Sequence, residues 1–120
     1  EAGACEAARR LAETGPRAVL VKGGHLEAEA CIDILFDGTH FHRFSGPRIP
    51  GKQTHGTGCT LSAAVAAWLA MGRELPRAVD LARRFVRAGI EEAPGLGRGW
   101  GPLNHLAAAC KLRVNPEEAT

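Results

Sequence analysis

Residues 4–13 set Ala4, Ala7, Ala8 and Leu11 at helical spacing, with Arg9 and Arg10 on the opposite side, and predict a short amphipathic helix. Gly15-Pro16 ends it, glycine at the C-terminal end and proline just beyond. Ala18-Val19-Leu20-Val21 is a continuous apolar run stopped by Gly23-Gly24, the pattern of a strand buried on both faces of a parallel sheet. A helix followed by a buried strand is half of a β-α-β unit, so the reading expects a preceding strand that the chain does not contain.

The period then changes. Ile32, Ile34 and Phe36 alternate with Cys31, Asp33 and Leu35, and Asp37-Gly38 predicts a two-residue hairpin turn with a return strand over residues 39–44. That register sets Ile34 opposite Phe41 and Asp33 opposite His42. Residues 45–55, rich in Pro and Gly, predict an irregular crossing loop. Residues 58–71 are Ala-rich and apolar on nearly every side, as in a helix buried against a sheet layer, and Gly72 ends them. Pro76 suits a first helical turn, and Leu75, Val79, Ala82, Val86 and Ile90 form the apolar stripe of a helix over 76–92. Arg77, Arg83, Arg84 and Arg87 are left largely to solvent. Residues 94–102 are a glycine-rich loop, and residues 103–112 predict a last short helix.

Composition narrows the function classes. The 120 residues carry 15 Lys and Arg against 13 Asp and Glu, a net charge of +2, too small a surplus to imply a nucleic-acid partner. Apolar residues at 45% and charged residues at 23% describe an ordinary globular domain rather than a disordered chain. The longest strongly apolar stretch, residues 61–71, falls short of the roughly 20 residues that cross a bilayer. The chain opens Glu1-Ala2-Gly3 without a basic-then-apolar leader, so no secretory signal is expected. Cys5, Cys31, Cys59 and Cys110 form no CxxC pair and have no His at finger spacing; free thiols in a reducing cytoplasm are the expectation.

The densest candidate chemistry lies in Thr54-His55-Gly56-Thr57-Gly58-Cys59-Thr60. Two glycines at spacing two stand just before a long helix, where positive φ and a close backbone approach are available. The first amides of a helix have no internal partner and lie at the positive end of its dipole, so a phosphate seated there receives several N–H donors. The spacing alone admits a second reading, a tight turn into a helix with no ligand, because this is neither a full Walker motif nor a dinucleotide fingerprint. Cys59 likewise admits two: a thiolate stabilised by the helix dipole, or a small buried residue, the commonest role of cysteine.

Three blocks taken together carry a resemblance. Val19-Leu20-Val21-Lys22-Gly23-Gly24-His25, then Thr54-His55-Gly56-Thr57-Gly58-Cys59-Thr60-Leu61-Ser62-Ala63-Ala64, then Gly101-Pro102-Leu103-Asn104-His105 resemble the C-terminal half of the hydroxymethylpyrimidine/phosphomethylpyrimidine kinases. These belong to the ribokinase-like superfamily and act in thiamine biosynthesis. The resemblance runs from about residue 4 to residue 107 and implies an α/β fold: the C-terminal half of a three-layer α/β/α architecture, with a β-hairpin at about 31–44. It implies that Gly56, Thr57, Gly58 and Cys59 form an anion hole for the transferring γ-phosphate of ATP, with Cys59 the base that deprotonates the substrate hydroxymethyl group. Phosphoryl transfer asks for little more than charge stabilisation and an aligned nucleophile. It also implies that Lys22 contacts the nucleotide phosphates and that Gly24 and His25 lie near the nucleotide; the alternative for Lys22 is a snorkelling lysine at a strand end, and the neighbouring blocks favour the phosphate role.

The remaining candidates read as structural. His55 shapes the loop before the glycines, and His40 with His42 form an i, i+2 pair with no third metal ligand, better explained by an Asp33–His42 pair. Trp68 reads as core, and Trp100 has no assigned role. Family members are roughly twice this length, with the acidic Mg2+ ligands and most of the pyrimidine pocket in the N-terminal half. The expectation is therefore one partial domain over residues 1–120, inactive in isolation, with ATP and a small pyrimidine as its partners, no membrane, and the dimeric state common in the family. Two alternatives stay open: a pyridoxal kinase of the same superfamily, or a non-catalytic nucleotide-binding remnant.

Overall fold

The first predicted helix forms as α1, Ala2–Ala12, in a computed structural model that describes residues 1–23, 30–51 and 55–114. Thr14 Oγ1 donates to the Leu11 carbonyl at 2.7 Å, and Gly15 takes φ +129° before Pro16 leads away. The chain divides into two compact units, residues 1–48 and 49–120.

In the first unit, α1 packs on β1 (Val19–Val21) and β2 (Ala30–Phe36), and β3 (Phe41–Pro47) completes a three-stranded sheet of order β1-β2-β3. Ala8, Ile34 and Leu35 form its core. The expected parallel, fully buried strand is corrected here. β1 runs antiparallel to β2, with Leu20 opposite Leu35, and its residues are half-buried. A short apolar run does not encode strand direction, and among the described residues β1 has a strand on one side only. Burial on both faces belongs instead to β2, where Asp33, Ile34 and Leu35 are buried in succession.

The hairpin forms, but two residues out of the expected register. Phe36 pairs with Phe41, Ile34 with Arg43 and Asp33 with Phe44. The cause is Asp37, which flanks the turn instead of sitting in its centre. Its N–H donates to the His40 carbonyl at 3.1 Å, and its Oδ1 accepts from the amides of Thr39 (2.9 Å) and His40 (2.7 Å). The central pair becomes Gly38-Thr39, and Gly38 takes φ +99° with the Arg17 carbonyl oxygen 3.0 Å from where a Cβ would lie. His42 therefore meets Asp37 Oδ2, at 2.7 Å, rather than Asp33. The β3 strand runs on to Pro47, through the first part of the expected loop. Phe36 and Phe41 stack with centroids 4.7 Å apart, and the Arg9 guanidinium lies 5.6 Å over the Phe41 ring, joining α1 to the hairpin.

The second unit is helical: α2 (Thr57–Ala70), α3 (Leu75–Glu91) and α4 (His105–Val114), with α3 packed on both others. Gly72 closes α2 with φ +83°. Its N–H donates to Leu69 and that of Arg73 to Trp68, a paired arrangement that satisfies the last carbonyls. Pro76 stands in the first turn of α3, as its fixed φ allows. The buried stripe of α3 is rotated from the expected one, onto Ala78, Val79, Leu81, Ala82, Ala88 and Gly89, with Val86 and Ile90 half-buried. The small residues at 88 and 89 draw in the segment before α4: Leu103 is buried, and its Cβ would lie 3.4 Å from a Cβ on Gly89. Asp80 Oδ2 holds Arg77 at 3.0 Å and Arg84 at 3.2 Å, and Arg87 pairs with Glu91 at 2.9 Å. These are part-exposed ion pairs of small individual worth. The expectation that α2 is buried all round is corrected as well. Leu61 is its one fully buried residue, Leu69 is exposed and Trp68 only half-buried.

Candidate active site

The start of α2 is built by Gly56. As the N-cap residue it takes φ 82° and ψ 5°, a left-handed conformation that costs a side-chain-bearing residue roughly 1–2 kcal/mol. The first helical bond of α2 runs from the Thr60 N–H to the Gly56 carbonyl at 2.9 Å. The amides of Thr57, Gly58 and Cys59 precede it in a first turn that has no intrahelical acceptor for them, and the N-cap residue Gly56 brings no side chain to cap them. A Cβ placed on Gly58 would meet nothing within 4 Å, and its φ is not left-handed. Among the described residues, neither packing nor backbone conformation therefore asks for glycine at position 58. Cys59 is exposed in this chain, outside its core.

Cys59 and Thr60 open onto a groove of about 550 Å³ that follows the alanine face of α2 to Trp68 and Met71, with Phe85 and His105 completing its wall. Sequence reasoning missed two contacts that frame this turn. His55 donates its N–H to the Gly101 carbonyl at 3.3 Å and forms a parallel bridge with Pro102, while Thr60 Oγ1 and His105 Nε2 share a hydrogen bond of 2.9 Å.

Gly56, Thr57, Gly58 and Cys59 are thus brought together in one turn. Lys22 stands in the other unit, exposed just beyond the end of β1. Gly24 and His25 lie outside the described residues. Beside Lys22, the Gly23 N–H donates to the buried Asp33 Oδ1 at 2.9 Å, a role that an acidic residue in the middle of an apolar strand could have signalled. Elsewhere in that unit, three hydrogen bonds hold the Asp37 carboxyl well below the usual carboxylate range: the His40 amide first, then the His42 ring and the Thr39 amide. Among the described residues, no group of His, Cys, Asp and Glu side chains gathers as a metal site. Nor is any described helix long and apolar enough to cross a membrane.

The arrangement defines a class before it defines a family. The structure superposes on the ADP complex of Bacillus subtilis pyridoxal kinase with a TM-score of 0.82 and 38% identity, over 93% of this chain and 42% of that one, so the fold is ribokinase-like α/β. The family model described as phosphomethylpyrimidine kinase matches residues 1–104, and the chain belongs to that family. It is 56% identical over 108 residues to the thiamine biosynthesis bifunctional protein ThiED of Geobacter sulfurreducens, covering 90% of this chain and 22% of that protein. It is 44% identical over 103 residues to the hydroxymethylpyrimidine/phosphomethylpyrimidine kinase of Bacillus subtilis, covering 85% of this chain and 38% of that enzyme. The chain therefore spans between about a fifth and two fifths of the length of these relatives.

Proposed function

We propose that the chain provides the phosphoryl-transfer part of an ATP-dependent kinase of thiamine biosynthesis. Its acceptor is 4-amino-5-hydroxymethyl-2-methylpyrimidine, its monophosphate, or both. The observation that carries this reading is the turn at the start of α2: a left-handed Gly56 that brings no capping side chain, a glycine at 58 whose Cβ would meet none of the described residues, and an exposed thiol next to it. The family and the names of the relatives support the substrate class.

In this reading the amides of Thr57, Gly58 and Cys59 face the equatorial oxygens of the γ-phosphoryl group, where negative charge must be held during transfer. The Cys59 thiolate takes the proton of the pyrimidine hydroxymethyl group. The freed oxygen forms a bond to phosphorus, the bond from phosphorus to the β,γ-bridging oxygen breaks, and ADP leaves with that electron pair. In this reading Lys22 contacts the nucleotide phosphates, and Gly24 and His25 belong near the nucleotide. Magnesium, when bound, would neutralise charge on those phosphates, and in this reading its acidic ligands come from the N-terminal half of the family's fold. Residues 1–120 act as part of one domain in a cytoplasmic enzyme, dimeric when complete. A second reading, pyridoxal kinase, is favoured by the solved neighbour of that activity.

The test replaces the matching segment of the Bacillus subtilis relative with this chain. The purified chimera is assayed with ATP against hydroxymethylpyrimidine, its monophosphate and pyridoxal. Turnover at a rate near the parent's supports the phosphoryl-transfer role; because most of the acceptor pocket is then the parent's, the second reading is decided by assaying the same acceptors with the full-length protein to which this chain belongs. Nucleotide binding without transfer to any acceptor would leave only a binding remnant and overturn the proposal.

A further inference from the structure

The turn at 56–59 does little to hold itself. Its N-cap residue is Gly56, which has no side chain to offer as a cap, yet catalysis by preorganised amides requires donors fixed before the charge develops. The rigidity has to come from outside the turn. The segment 101–105 reaches it from both ends: Gly101 and Pro102 hold His55, on the near side, and His105 holds Thr60, on the far side, through the Nε2–Oγ1 bond of 2.9 Å. The segment is itself anchored. Leu103 and Gly101 are buried, the Asn104 N–H donates to the Gly89 carbonyl at 2.9 Å, and Asn104 Oδ1 caps α4 by accepting from the Ala107 N–H at 3.0 Å.

We infer that His105 is a positioning residue for the phosphate-holding turn, acting through Thr60, and that residues 101–105 clamp both flanks of that turn to the core of α3. The inference deepens the proposed function and rests on it for its catalytic meaning. The clamp itself is a property of the chain and can be read without any turnover. His105 fixes the side chain immediately after Cys59, so loss of the bond releases the first turn of α2. The effect belongs in kcat rather than in nucleotide affinity, because the contact acts on donors that matter most when the phosphoryl group is in flight.

Hydrogen exchange on the full 120-residue chain tests the clamp directly. In His105→Ala the amides of Thr60 and Leu61 should exchange about tenfold faster, while those of Val79 and Leu81 in α3 keep their rates. His105→Gln, whose side-chain nitrogen replaces Nε2, should restore slow exchange. Thr60→Val keeps the shape of a part-exposed residue and should behave as His105→Ala does, which covers the case of a His105→Ala chain that does not fold. In the chimera, His105→Ala and Thr60→Val should each lower kcat about tenfold with KM for ATP within twofold, and the double variant should be no worse than either alone. Unchanged exchange at Thr60 and Leu61, a Gln variant as loose as the Ala variant, or unchanged kcat in an active chimera each overturns the inference. An inert wild-type chimera would instead count against the proposed function, and the exchange rates would still decide the clamp.

Discussion

Gly58→Ala separates what the fold needs from what a phosphate needs. At this position φ lies outside the left-handed region and a Cβ would have nothing within 4 Å, so alanine is accommodated without strain. Within a helix, alanine is favoured over glycine by about 0.5–1 kcal/mol, and the residue lies in the first turn of α2. The expected result is a Tm that is unchanged or higher by a few degrees, since about 1 kcal/mol moves a small domain by roughly 4–8 °C. Under the proposed function, the methyl would stand where the γ-phosphoryl oxygens approach the amides. Loss of one such donor costs about 10²–10³ in turnover, so a fall of at least about tenfold is expected in the chimera with the Bacillus subtilis relative. The assay pairs a thermal melt with a coupled measurement of ADP release. A variant that is at least as stable and turns over within twofold of its parent would refute the reasoning, because nothing would then approach the backbone at 58. Gly56→Ala could not make the distinction, since φ 82° penalises any side chain there.

Three further outcomes are expected. Cys59→Ala in the same chimera should lower turnover by about 10²–10⁴, the range of a general base, with ADP affinity within twofold by calorimetry; near-parental turnover would remove the thiol from the proton transfer. Gly23→Ala should destabilise the chain by about 3 kcal/mol or more in urea titrations, because its Cβ would lie 3.0 Å from the Ile32 carbonyl carbon and closer to its oxygen, and the buried bond to Asp33 would be disturbed as well. A loss below about 1 kcal/mol would mean that the β1–β2 crossing is not as close as described. Asp37 has a folded-state pKa below its unfolded one. Its stabilising contribution is therefore complete above the ordinary carboxylate pKa near 3.9 and is lost as the pH falls through and below that value. Melts of Asp37→Asn followed by circular dichroism should show a shallower acid decline than the parent between pH 4 and 2, and parallel declines would deny the hairpin carboxylate its role.

Much of this molecule was legible from its side-chain pattern. The helices at 57–70 and 75–91 and the hairpin follow from periodicity and from Gly and Pro placement, because those signals are local. What escaped depended on atoms distant in sequence or on choices that local chemistry leaves open. Asp37-Gly38 marks a turn, but whether the aspartate occupies its centre or its flank is decided by the amides its carboxylate collects. The orientation of Val19–Val21 was illegible because three apolar residues look alike beside a parallel or an antiparallel neighbour. In the candidate site, the four residues of the glycine turn were readable as a block. The hydrogen bond from His105 back to Thr60 spans 45 positions and leaves no mark in either neighbourhood.

The displaced register of the hairpin constrains how this tip can vary. The shift is by two residues, so the residues of β3 keep the faces that the other pairing would have given them. Related chains should accordingly lengthen or shorten the tip in pairs. An odd insertion would turn β3 inside out, carrying Phe41 away from Arg9 and His42 away from Asp37, unless a bulge took up the extra residue.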